Sequence, residues 1–122
     1  MTTVSVFKRR LSGSTDGMPI KVAATESPGT LIHTAQTGTT DGNYDEIWLY
    51  AYNSHTVAVV LTIEFGGTTA PDQTIKVPLS SNAGLVLIVS GLILQNSKVV
   101  GAFADVANVV TISGFVNKIT ET

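Results

Sequence analysis

The chain has 122 residues, with 7 Lys plus Arg against 9 Asp plus Glu, a net charge of −2, no Cys, and only 13% charged side chains. A single domain of this length can bury a core without disulfide staples, and the charge balance supplies no electrostatic drive toward nucleic acid or an anionic membrane. Soluble domains usually carry about a quarter charged residues, so the shortfall implies more apolar surface than one small domain hides.

In chain order, the first segment, 1–17, reads as an N-terminal arm. A short apolar stretch, Val4-Ser5-Val6-Phe7, leads into the basic triplet Lys8-Arg9-Arg10 and a loop, Leu11 to Gly17, of mostly small polar residues. Such a loop is expected to be poor at anchoring itself in a core. No charged leader precedes an apolar run, so no secretory signal is expected. The remainder, 18–122, reads as one β-domain. Strands are expected at about 18–24, 29–36, 44–53, 56–65, 73–79, 84–90, 92–95, 97–104 and 107–119, each bounded by Gly, Ser, Thr, Asn or Asp. Asn53-Ser54-His55 is expected to form a tight hairpin, and Ala104 to Asn108 a looser one. No stretch has the periodicity of an amphipathic helix. The longest apolar run, Leu85 to Leu94, is interrupted by Ser90-Gly91 and is half the length of a membrane helix. The fold expected is therefore an all-β, two-sheet antiparallel sandwich, jelly-roll or immunoglobulin-like.

Alternation assigns the faces. Over 57–65 the odd positions Val57, Val59, Leu61, Ile63 and Phe65 make one apolar face, with Thr62 and Glu64 on a wet side. Over 46–52, Ile47, Leu49 and Ala51 share one face while Trp48, Tyr50 and Tyr52 share the other, so both faces call for cover. Leu85 to Val89 is apolar on both faces as well. A second subunit or a host surface is the expected cover.

Candidate chemistry is sparse. Asp41-Gly42-Asn43-Tyr44-Asp45 spells the opening of a calcium loop, but Glu46 stands where the sharp turn needs Gly and Tyr52 where the bidentate Glu belongs. An Asx turn entering a strand accounts for the same residues. His33 and His55 have no zinc-ligand spacing. Ser54-His55 are adjacent, which does not suit a nucleophile and its base, and no G-x-S-x-G elbow occurs. The expectation is a non-enzyme without cofactor, metal or small-molecule substrate, and without nucleic-acid or membrane partner. The residues assigned to subunit or capsid contact are Val4, Val6, Phe7, Arg9, Arg10, Trp48, Tyr50, Tyr52 and Leu87.

A resemblance runs through most of the chain. The runs Asp45-Glu46-Ile47-Trp48-Leu49-Tyr50-Ala51-Tyr52-Asn53 and Val60-Leu61-Thr62-Ile63-Glu64-Phe65-Gly66-Gly67 resemble small virion proteins of tailed bacteriophages. So do Gly91-Leu92-Ile93-Leu94-Gln95-Asn96, Val99 to Ala104, and Ala107-Asn108-Val109 through Gly114-Phe115-Val116-Asn117-Lys118-Ile119. Within that group the likeness is to capsid cement, or decoration, proteins. It implies a small β-sandwich that sits as a homotrimer on the major capsid protein of a completed head, assembled in the host cytoplasm. The competing expectation is a receptor- or carbohydrate-binding β-sandwich of a tail or fibre device, with the aromatic stripe as its platform.

Overall fold

The computed structural model describes residues 2–122 and contains strands β1 (Val4–Arg10), β2 (Ile20–Lys21), β3 (Thr30–Thr34), β4 (Tyr44–Asn53), β5 (Val59–Phe65), β6 (Thr74–Leu79), β7 (Val86–Leu94), β8 (Val99–Ala104) and β9 (Val110–Glu121). Every pairing is antiparallel. One sheet, A, runs β1-β9-β4-β7, with β2 continuing the line of β1 along the other half of β9; the second, B, runs β3-β8-β5-β6. The fold is an all-β sandwich, as expected.

The order of strands decides its kind. The pairs β1/β2 with β9, β3 with β8, β4 with β7 and β5 with β6 are nested, as in one long hairpin wound into two sheets. That is the jelly-roll arrangement, not the immunoglobulin one. Of the connections between successive strands, only β5 to β6 closes a hairpin within a sheet.

Both hairpins expected at Asn53 and at Ala104 to Asn108 are therefore arches between sheets. Each links a strand of one sheet to the next strand in the other. The buried Asn53 side chain holds the first arch: Nδ2 donates to Val57 O at 3.1 Å and Leu79 O at 3.0 Å, and Oδ1 accepts from His55 N at 2.9 Å. Asp105 Oδ1 accepts from Val60 N in the second. Turn residues announce a reversal, and their side-chain bonds decide whether the chain turns back or crosses over.

The core lies where the even positions of β9 (Val110, Ile112, Val116) and the odd positions of β4 (Ile47, Leu49, Ala51) meet Val59, Leu61 and Ile63 of β5 and Val100, Ala102 and Ala104 of β8. Each fully buried Leu, Ile or Val contributes about 1.5–3 kcal/mol relative to exposure.

Three further expectations need correction. The segment taken as a free arm is, over Val4–Arg10, a strand paired to β9 along its whole length, Val4 opposite Glu121 through Arg10 opposite Phe115; Met1 lies outside the described residues. The loop after it is anchored. Leu11 is fully buried, Gly13 N donates to Ile32 O, Ser12 N to His33 Nδ1, and Thr34 N to Ser12 Oγ. Small polar residues anchor by hydrogen bonds what they cannot anchor by burial. Gly13 permits that approach, since a Cβ there would lie 2.7 Å from Ile32 O. Second, the strands expected at 84–90 and 92–95 are one, β7, which passes Gly91 at φ 77° and shifts register twice against β4. Third, the wet side of β5 is dry at Thr62 and Glu64, both buried, and Val57 precedes the strand and is exposed. The 23–29 loop covers Glu64, with Ser27 Oγ donating to Oε2 and Gly29 N to Oε1 at 2.6 Å.

Candidate docking face

Cross-strand partners in an antiparallel sheet point to the same side, so register assigns the outer face of sheet A. Alternation along β4 turns Tyr44, Glu46, Trp48, Tyr50 and Tyr52 outward, half-buried, while Asp45, Ile47, Leu49, Ala51 and Asn53 are buried beneath. Opposite them on β9 stand Ile119, Asn117, Phe115, Ser113 and Thr111. On β7 the partners of Glu46, Trp48 and Tyr50 are Ile93, Ser90 and Leu87. On β1, Val4, Val6, Lys8 and Arg10 pair with Glu121, Ile119, Asn117 and Phe115.

The centre of this face is built around Trp48. Its ring stacks on Phe115, centroids 6.1 Å apart with 9° between planes, and Lys8 Nζ sits 4.4 Å from the Phe115 centroid. Gly91 lies against the indole, where a Cβ would come within 3.0 Å. Glu46 Oε1 accepts from Trp48 Nε1 at 2.8 Å and from Asn117 Nδ2 at 3.0 Å. Those bonds, the Trp48 one foremost, hold the Glu46 carboxyl below its ordinary range. Tyr52 Oη donates to Asn82 Oδ1 at 2.8 Å, which fixes the upper end of the stripe. The result is an aromatic row in which the Trp48 and Tyr52 polar atoms are bonded within the chain, flanked by exposed Leu87, Ile93, Val4 and Val6.

Of the residues assigned to contact from the sequence, Val4, Val6, Arg10, Trp48, Tyr50, Tyr52 and Leu87 share this face. Phe7 and Arg9 point to the reverse side of β1, with the Arg9 guanidinium 5.1 Å from the Phe7 centroid. Phe115, Ile119 and Ile93 belong to the face and were missed. Odd-numbered Phe115, Asn117 and Ile119 alternate with buried Val116, a signal present in the sequence, but only the register with β4 brings them beside Trp48.

The buried polar groups are consumed by structure. His33 and Asp45, 4% and 3% exposed, bridge the sheets through Nε2 and Oδ2 at 2.7 Å. Because His33 Nδ1 accepts from Ser12 N, the ring proton sits on Nε2. Gln36 Nε2 donates to both Asp45 Oδ1 and Ile119 O. The calcium-like residues do not converge: Asp45 faces inward to His33, Asn43 Oδ1 accepts from Glu121 N at 2.7 Å, and Asp41 is exposed. Among the described residues no group of three or more His, Asp or Glu is placed to hold a metal ion. A depression of about 310 Å³ on sheet B is lined by Pro28, Gly29, Leu31, Glu64 and Val99, and both carboxylate oxygens of Glu64 are already bonded to the loop above.

No family model matches the chain, and neither a curated protein nor a solved structure is significantly similar to it.

Proposed function

We propose that this chain is a capsid cement, or decoration, protein of a tailed bacteriophage, a non-enzymatic virion component that binds the outside of an assembled head and stabilises it. The observation that carries the reading is the outer face of sheet A, where the Trp48–Phe115 stack, Tyr50, Tyr52, Leu87, Ile93 and Ile119 set aromatic and aliphatic side chains among Glu46, Ser90, Ser113 and Asn117. A face of that composition on a small domain is suited to burial against protein. The capsid setting and the homotrimer come from the sequence resemblance. In the trimer, Trp48, Tyr50 and Leu87 lie at or near the subunit contact.

A protein that binds only the mature shell shifts the shell's equilibrium by RT ln(1 + [L]/Kd), about 2.7 kcal/mol per site at a hundredfold excess over Kd. A trimer bridging several capsid subunits gains further through multivalency, so modest contacts per subunit suffice. Net acidity is compatible with an outer surface that does not touch packaged DNA. The test is to add purified protein to shells that lack it and to measure binding stoichiometry together with resistance to heat. Saturable binding that raises the disruption temperature is expected. Failure to bind shells, with binding to a host glycan instead, would establish the tail or fibre alternative.

A further inference from the structure

The sandwich has four edges, and three are interrupted by a bulge or a proline. Strand β3 shifts register between Leu31 and His33, β6 carries Pro78, and β7 shifts twice. Bulges and prolines of this kind keep an edge from pairing with other chains. The fourth edge is β2 and β1. Strand β2 has two residues, whereas β1 has seven in unbroken register and neither bulge nor Pro.

Which backbone groups β1 leaves free follows from the ladder. Thr3 and Thr122 exchange both backbone bonds, N to O at 3.3 and 3.0 Å. Hydrogen-bonded pairs alternate along an antiparallel ladder, so Thr3, Ser5, Phe7 and Arg9 address β9 while Val4, Val6 and Lys8 turn their N–H and C=O groups outward. Side chains on both sides of β1 are exposed too, Val4 and Val6 at 59% and Phe7 at 42%. Lys8, Arg9 and Arg10 cluster at the end of the strand and, among the described residues, form no ion pair. They line an open depression of about 530 Å³ with Asp16 and Gly17.

We propose that β1 is a strand-addition site for an extended acidic segment of another protein, which would extend sheet A by pairing with Val4, Val6 and Lys8 and set carboxylates against the Lys8-Arg9-Arg10 cluster. In strand addition the main-chain bonds supply affinity and the alternate side chains supply selectivity. Here the selectivity is for apolar side chains beside Val4 and Val6 and for negative charge beside Lys8 and Arg10. The occupant is not a second β1. That pairing gathers six cations on one ribbon, and in the register centred on Phe7 it sets the two Lys8 side chains on a diagonal roughly 7–8 Å apart, within the screening length. Nor does β3, β6 or β7 carry a carboxylate to offer. This inference does not depend on the phage-head reading, because it concerns an edge and a charge pattern whatever the partner's origin.

The probe is a synthetic peptide of about seven residues alternating glutamate with valine, compared with one in which lysine replaces glutamate. Titrated into the intact isotope-labelled protein, the acidic peptide is expected to slow amide exchange at Val4, Val6 and Lys8 and to leave Ser5, Phe7 and Arg9 unchanged, since those already pair with β9. Its affinity should exceed that of the lysine peptide by roughly tenfold or more at low salt and fall as salt rises. Val6→Pro removes an outward N–H without breaking the β9 ladder and should abolish binding while the remaining amide spectrum is retained. The double change Lys8→Glu with Arg10→Glu should reverse the peptide preference. Equal binding of both peptides, protection at Ser5 and Phe7 instead, self-pairing of β1 in preference to the acidic peptide, or preferential binding of a single-stranded oligonucleotide would each overturn the proposal.

Discussion

Asp45→Asn isolates the polar bridge that ties the sheets to the N-terminal loop. Asp45 offers two acceptor oxygens, one to His33 Nε2–H at 2.7 Å and one to Gln36 Nε2–H at 3.2 Å. Neither donor can reverse. His33 Nδ1 is committed as acceptor to Ser12 N–H, and a neutral imidazole has only one acceptor. The Gln36 amide is oriented by its second bond to Ile119 O. Asparagine supplies one acceptor and one NH2, so in either orientation an N–H faces an N–H in a site 3% exposed. Loss of one hydrogen bond to a charged group costs about 1.5–3 kcal/mol. For a domain of this size that is roughly 5–15 °C in Tm, interpolating the usual size scaling. Asp45→Ala orphans both donors and should cost more, roughly 2–6 kcal/mol. Urea unfolding at fixed protein concentration, followed by the fluorescence of Trp48 and by circular dichroism, measures both. A cost below about 0.5 kcal/mol for Asp45→Asn, or a more stable variant, would refute the assigned tautomer and the bridge built on it.

Trp48→Ala should leave the far-UV circular dichroism spectrum intact and weaken self-association by about 2 kcal/mol per contact, roughly 30-fold in Kd; sedimentation equilibrium measures it, and a stable wild-type monomer at micromolar concentration would sink the trimer. Glu46 titrates below the ordinary glutamate range, so its contribution is complete above that range and is lost as pH falls through the lowered value. The fluorescence of Trp48, the only Trp, should report that titration, and Glu46→Gln should remove the acid transition. Deleting residues 2–9 should leave a folded domain, because the side chains of β1 are mostly exposed, whereas Leu11→Ala should cost about 2–5 kcal/mol by opening a core cavity. Equal thermal shifts for those two variants would show that the boundary between edge strand and core is misplaced.

Much of the strand content was legible because side-chain alternation is local. The pattern Asp45-Glu46-Ile47-Trp48-Leu49-Tyr50 needs no partner to declare two faces, and β4 spans the 44–53 expected of it. The aromatic stripe was likewise legible as one set facing away from Ile47, Leu49 and Ala51, since parity along a single strand places it; Leu87 joins it through the pairing of β7 with β4. Illegible were the neighbours: Phe115, Ile119 and Ile93 reach Trp48 and Tyr50 only through pairings between strands far apart in sequence. The arm was misjudged for the same reason. Nothing within residues 1–17 reveals that β9 runs alongside, or that His33 waits to receive Ser12 N–H.

By itself, the sequence determined that the protein is β throughout, that its strands alternate their side chains between two faces, and that a row of aromatic side chains would lie opposite the core. Each of these follows from steric and hydrophobic preferences acting over a few residues. Only the tertiary structure decided that the sandwich is a jelly roll, that the turns at Asn53 and Ala104–Asn108 are arches between sheets, and that the N-terminus forms an edge strand. Strand order and register depend on which distant backbone groups find each other, and many arrangements satisfy the same local alternation. The one adopted also satisfies the buried polar side chains His33, Asp45, Asn53 and Glu64.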